Sequence, residues 1–116
     1  MNLFLVFFGG GIGCIVRYLI GISFQKTVSS LPWATFLSNL LACLIFALVV
    51  WMLNTKEIIN PTLRLLLLTG FCGGLSTFSS FGYETFLLLK QSLYLYAILN
   101  IMISCVFCIF IFYIFN

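Results

Sequence analysis

Histidine is absent from this chain, and only two of its 116 residues are acidic. All charged side chains together make up 6% of the sequence, where a soluble domain carries about a quarter. So few charges cannot cover a water-facing surface, which excludes an ordinary soluble globular domain. The net charge of +3 is too small and too scattered for a nucleic-acid footprint. No basic segment precedes Leu3 and no polar mature domain follows the first apolar run, so a secretory signal peptide is not expected. Five cysteines (Cys14, Cys43, Cys72, Cys105 and Cys108) fall inside apolar runs, where cysteine acts as a small hydrophobe. Cys105 and Cys108 have C-x-x-C spacing, but without a second pair or a histidine no zinc or redox centre is expected.

What is present is hydrophobicity, at 64% of residues. A bilayer core needs about 20 apolar residues per helix. The chain therefore has room for four spans, predicted at about residues 3–24, 33–53, 61–90 and 93–115 of a single transmembrane domain, 1–116. The expected fold class is an all-α membrane protein.

The third span carries the most informative stretch, Gly70-Phe71-Cys72-Gly73-Gly74-Leu75-Ser76-Thr77-Phe78-Ser79-Ser80-Phe81. It interrupts a run that would otherwise read as one uniform helix. Glycine costs about 1 kcal/mol in a helix interior relative to alanine, so the Gly73-Gly74 pair is the predicted point of opening. Within a membrane, open backbone is tolerated only where protein buries it or where it lines a watery cavity. Freed carbonyls then suit a cation, and half-helix N-termini suit an anion. The break is accordingly predicted to be an ion site at mid-membrane. Phe78 and Phe81, at i,i+3 spacing, share one face of a following helix, with serines and a threonine interleaved. Glu84 lies one turn further on and is the only acidic residue within a span. An intramembrane carboxylate is a functional hypothesis by default, here at a wet vestibule.

The other spans carry stripes of small or polar residues. Gly9, Gly13, Arg17 and Gly21 recur every four residues on the first helix, a spacing that lets helices approach closely. The glycines do not fit a G-x-G-x-x-G frame and no strand precedes them, which excludes a nucleotide loop. Arg17 is expected to face protein and to donate to free carbonyls of the broken helix. Around Gln25 to Pro32 a short polar loop leads into the second helix, where Pro32 suits the first turn. On that helix Thr35, Asn39, Cys43 and Ala47 form a second stripe. The Asn39 amide must find partners in hydrocarbon, either as interhelical glue or as a pore-lining donor. A solvated loop, 54–60, carries Lys56 and Glu57. The fourth helix presents a ladder of Tyr96, Asn100, Ser104 and Cys108.

With four spans, Lys56 and Arg64 fall on one side of the membrane and Lys26 and Lys90 on the other. This even distribution leaves almost no positive-inside bias, which predicts insertion in both orientations. An antiparallel pair would bring two broken helices together across a two-fold axis in the membrane plane.

The twelve-residue stretch followed by Glu84 resembles the G-F-C-G-G-[LF]-[TS]-T-F-S-[TS]-F…E signature of the Fluc (CrcB) fluoride channels. Gly9 to Gly13 with Arg17, and Thr35 with Asn39, also match the order of that family's motifs. The resemblance implies a dual-topology antiparallel homodimer in a bacterial-type plasma (inner) membrane, multi-pass and not an enzyme. It implies a structural, untransported sodium ion at the dimer centre, held by the backbone carbonyls of Gly73 and Ser76. It implies fluoride pathways lined by Phe78 and Phe81, with Asn39, Thr77, Ser80 and Ser104 nearby and Arg17 and Glu84 at the vestibule. The expected activity is passive electrogenic export of cytoplasmic fluoride, which lowers its toxicity. Three positions depart from the usual pattern: Ser76 for threonine, Ala42 for glycine, and Cys108 for serine.

Two other classes were weighed. Small multidrug transporters are also short, four-helix and dual-topology, and resemble proton-coupled antiporters built on a first-helix glutamate. Here the first helix has Arg17 and no carboxylate. A non-transporting subunit of a membrane complex would account for the small-residue stripes but not for the interruption between Gly73 and Phe81.

Overall fold

The computed structural model describes residues 1–56 and 60–115. Among the described residues, four helical stretches are long and apolar enough to cross a membrane: Asn2–Ser23, Trp33–Thr55, Pro61–Lys90 and Tyr94–Ile114. The expected all-α architecture with an interrupted third span is therefore present. The first span is α1 (Asn2–Ser23) and the second is α2 (Trp33–Lys56). The third divides into α3 (61–75) and α4 (Phe78–Lys90), and the last span is α5 (Tyr94–Ile114). Helix α2 continues past Asn54, where a loop was expected. Glu57 and the side chain of Lys56 lie outside the described residues.

Local sequence sets the ends of the third span. Asn60 caps α3 by accepting from the Thr62 amide through Oδ1 at 3.1 Å, and Pro61 occupies the first turn. Proline is suited to that position because its missing N–H would have no helical partner. At the far end, Ser92 adopts φ 60° and the Leu93 amide bonds the Leu88 carbonyl at 2.9 Å. This closes the last turn of α4 and reverses the chain directly into α5.

The glycines behave differently from the expectation. Gly73 and Gly74 are helical, and no glycine has positive φ. The helix opens two residues later, at Ser76 (φ −76°, ψ 154°) and Thr77 (φ −150°, ψ 112°). What the glycines provide is proximity. A Cβ at Gly74 would stand 3.0 Å from the Gly10 Cα, and one at Gly70 would stand 3.0 Å from the Gly9 Cα. A Cβ at Gly13 would collide with the Phe71 carbonyl oxygen, and one at Gly9 with that of Leu66. Helices α1 and α3 thus meet backbone to backbone, the association available to apolar helices that gain little from burial against lipid. Gly21 also belongs to the α1 stripe by spacing, yet nothing lies within 4 Å of where its Cβ would be.

Within α3, Leu65–Cys72 winds as a wide π-type helix. Such widening is uncommon and is concentrated at functional sites. The deepest side chains of the bundle are mostly small: Ser38, Ala42, Ala47 and Ala97 are each no more than 3% exposed. Large apolar residues such as Phe4, Phe7, Ile98 and Phe110 are outside, as acyl-chain contact requires.

Branched side chains at the glycine seam are expected to destabilise the fold. Gly13→Val forces backbone against backbone, at a cost of about 1–3 kcal/mol, whereas Gly11→Ala enters open space. Thermal unfolding in detergent should show a lower midpoint for the first variant and no loss for the second. Equal midpoints would show that the seam tolerates a Cβ.

Candidate functional site

The site is built on the two extended residues between α3 and α4. A broken helix leaves amides without intrahelical acceptors and carbonyls without donors. Here one side chain from α2 meets both needs of a single residue. Asn39 accepts from the Thr77 amide through Oδ1 at 2.7 Å and donates through Nδ2 to the Thr77 carbonyl at 3.3 Å. Asn39 is thus an interhelical bond of a specific kind, holding the unwound residue as a neighbouring strand would. It also lines the groove described below.

Thr77 in turn caps α4. Its Oγ1 accepts from the Ser80 amide at 3.2 Å and donates to Ser80 Oγ at 3.1 Å. The two diverted amides have a common consequence. In a continuous helix Thr77 N–H would bond the Gly73 carbonyl and Ser80 N–H would bond the Ser76 carbonyl. Both donors are turned to side-chain oxygens instead. The Gly73 and Ser76 carbonyls thereby lose their helical donors, and hard oxygen donors of this type suit a cation such as sodium. Gly73 is exposed, with nothing within 4 Å of a hypothetical Cβ, so its side of α3 is open to a further molecule.

Two cavities have Thr77 on their walls. One, of about 330 Å³, is lined by Arg17, Thr35, Ser38, Thr77, Ser80 and Glu84 among others. The other is a groove of about 360 Å³ with Asn39, Thr77, Phe78, Phe81 and Ser104 on its walls. The Phe78 and Phe81 rings lie 5.9 Å apart at a 41° tilt, so the i,i+3 pair is a real face. Phe78 is 84% exposed, presenting an aromatic ring outside the single chain.

Glu84 stands in the first cavity as a half-buried carboxylate. Its Oε1 accepts from Thr35 Oγ1 at 2.7 Å, and its Oε2 is buried without a hydrogen-bond partner. Arg17 lines the same cavity, but its described hydrogen bond goes to Cys14 Sγ at 3.6 Å. The expected donation from Arg17 to a carbonyl of the break is therefore not seen. Asn39 supplies the bonds at the break instead, because it sits directly opposite Thr77 while Arg17 lies nearer the α1 terminus.

On α5 the ladder resolves into distinct environments. Asn100 and Ser104 are buried, whereas Tyr96 is 39% exposed. Asn100 donates to Thr85 Oγ1 at 2.9 Å, and Thr85 donates to the Phe81 carbonyl at 2.8 Å. This link between α4 and α5 was missed in the sequence because Thr85 lies outside the twelve-residue motif. Its i,i+4 relation to Phe81 would have placed it on the same helix face as that ring.

The Asn39 clamp has a measurable signature. Asn39→Leu leaves the Thr77 amide unpaired at a cost of about 1–3 kcal/mol, so its hydrogen exchange should accelerate roughly tenfold or more. Asn39→Asp retains an acceptor and should keep most of the protection. Unchanged exchange in Asn39→Leu would show that the clamp does not hold the break.

Comparison with known proteins places these features in a family. Residues 4–115 match the model of the CrcB-like protein, Camphor Resistance (CrcB) family. A protein of Phocaeicola vulgatus named "Fluoride-specific ion channel FluC" is 43% identical over 94 residues, covering 80% of this chain and 77% of its own. A protein of the same name from Leptospira interrogans is 42% identical over 95 residues, covering 81% and 75%. Another from Gloeothece citriformis is 44% identical over 99 residues, covering 82% and 77%. These relatives carry the name of ion channels rather than of enzymes. Four apolar spans and bacterial relatives of this kind identify a multi-pass protein of a bacterial inner membrane. The chain belongs to the CrcB-like family.

Proposed function

We propose that this chain is a fluoride-specific channel that works as an antiparallel, dual-topology homodimer and exports cytoplasmic fluoride passively. The observation that carries the reading is the interrupted third span with two cavities beside it, each with Thr77 on its wall. One has Arg17 and Glu84 on its walls, and the other has Phe78, Phe81, Asn39 and Ser104. The names of the relatives support the same ion.

The chemistry follows from the residues. Fluoride is small and strongly hydrated, so a pathway must replace its water without trapping it. Aromatic ring edges carry partial positive charge, and Phe78 and Phe81 offer two. Hydroxyls of Thr77, Ser80 and Ser104, with the Asn39 amide, supply polar neighbours that carry no net charge. Arg17, on the wall of the other cavity, favours entry of an anion from water.

The antiparallel pair is supported by the even distribution of Lys26 and Lys90 against Lys56 and Arg64 in the sequence and by the exposed Phe78 ring. It would bring the open sides of two α3 helices together. The Gly73 and Ser76 carbonyls of both copies are suited to holding sodium there, and a bound sodium would supply a fixed positive charge that joins the subunits. These carbonyls fit that role because their helical donors are diverted to Asn39 and Thr77.

No nucleotide loop and no first-helix carboxylate is present to couple transport to an energy source. Flux is therefore driven by the anion's own gradient and moves charge. External fluoride enters cells as the neutral weak acid, ionises inside, and leaves as the anion through this path.

Reconstituted protein should release fluoride from liposomes electrogenically and retain chloride. Chloride release at a comparable rate would overturn the reading. Phe81→Ile should depress fluoride flux at least tenfold while the dimer remains assembled by cross-linking, and undiminished flux would remove Phe81 from the pathway.

A further inference from the structure

Asn100 belongs to the polar series of α5 but not to the setting of the residues that follow it there. Ser104 and Cys108 line the 360 Å³ groove with Phe78 and Phe81, whereas Asn100 is not on its wall. It borders instead a void of about 10 Å³ beside Trp33, Phe36 and Ile103, room for one water at most. Its amide is already engaged: Nδ2 donates to Thr85 Oγ1 at 2.9 Å.

That bond continues. Thr85 Oγ1 donates to the Phe81 carbonyl at 2.8 Å. A hydroxyl has a single proton. With the proton committed to the carbonyl, the oxygen is free to accept from Asn100. Amide, hydroxyl and carbonyl thus form one directed series, in which each bond polarises the next. Asn100 and Thr85 are 5% and 8% exposed, so water does not compete for either. The series ends on the backbone of Phe81, whose ring lines the groove and lies 5.9 Å from that of Phe78.

We propose that Asn100 and Thr85 are positioning residues for Phe81, and that their series sets the angle at which its ring meets the groove. A threonine hydroxyl bonded to the carbonyl four residues earlier bends its helix. Asn100 fixes that hydroxyl from α5, and therefore fixes the bend. The angle matters because an aromatic ring has a positive edge and a negative face. Rotation of the turn would replace attraction for an anion by repulsion. A bond that only joined α4 to α5 could end on any facing polar group; this one ends on the residue that presents the ring. The effect on flux rests on the channel reading above, and the effect on the ring does not.

The test reads ring and flux separately in the full-length protein. For the ring, 4-fluorophenylalanine is incorporated at Phe81, or at Phe112 about three turns beyond Asn100 as a control, and its fluorine resonance is recorded. Thr85→Val and Asn100→Leu should each move the Phe81 resonance and leave that of Phe112 in place. The double variant should move it no further, and Thr85→Ser, which keeps the hydroxyl, should restore it. In liposomes with unlabelled protein, Thr85→Val and Asn100→Leu should each cut fluoride flux at least fivefold, their combination no more than either, and Thr85→Ser should keep more than half. Thr85→Val exchanges a hydroxyl for a methyl of like shape, so it carries the test alone if Asn100→Leu does not assemble. An unmoved Phe81 resonance in Thr85→Val overturns the positioning role, and an equal shift at Phe112 reduces it to general packing. Shifts that add in the double variant overturn the series. Full flux through protein with a moved ring overturns its part in conduction. Absence of flux in the unsubstituted protein would count against the channel reading alone, since the resonance decides the positioning independently.

Discussion

A peptide group cannot be left without a partner inside hydrocarbon, and every feature of the third span answers that constraint. Interrupting a helix there exposes amides and carbonyls at a cost of several kcal/mol each. The chain meets the cost with side chains at fixed places. Asn39 takes both polar groups of Thr77, and the Thr77 hydroxyl takes the amide of Ser80. What remains after these substitutions includes the Gly73 and Ser76 carbonyls without helical donors, beside a capped helix start. The interruption is thus stabilised from α2, by a residue that looks like ordinary interhelical glue when the sequence is read alone.

The second requirement is closeness. Asn39 can span to Thr77 only if the interrupted helix is held at a fixed depth in the bundle, and α1 holds it there from the other side. Gly9, Gly10 and Gly13 of α1 meet Gly70, Phe71 and Gly74 of α3 with no side chain between the backbones. Bare backbone contact leaves little freedom for sliding, because a shift along the axis brings the next larger side chain into the seam.

The sequence showed the four spans, the interruption and the residues around it, because each carries a local signal. Apolar run length marks spans, and Phe78, Phe81 and Glu84 stand out by type and spacing. The position of the opening was less legible. Glycine's low helix propensity pointed to Gly73 and Gly74, but propensity is a weak prior that tertiary contact overrides. Those glycines stay helical against α1, and the backbone opens where Thr77 finds better partners outside its own helix. The π-type winding of Leu65–Cys72 has no signature in a run of leucines. The place of Arg17 on the glycine stripe points it to the break, yet it lines the 330 Å³ cavity with Glu84. Which partner a long side chain selects depends on distances that periodicity does not contain.

Thr35 and Asn39 lie one turn apart on α2, and their bonds reach Glu84 on α4 and Thr77 in the break itself. With bonds at two heights, α2 and the start of α4 can neither swivel nor tilt independently. They move as a single stave. A groove walled by such a stave keeps its width, so any ion passing it would be selected by calibre and lining rather than by a gate that opens and shuts.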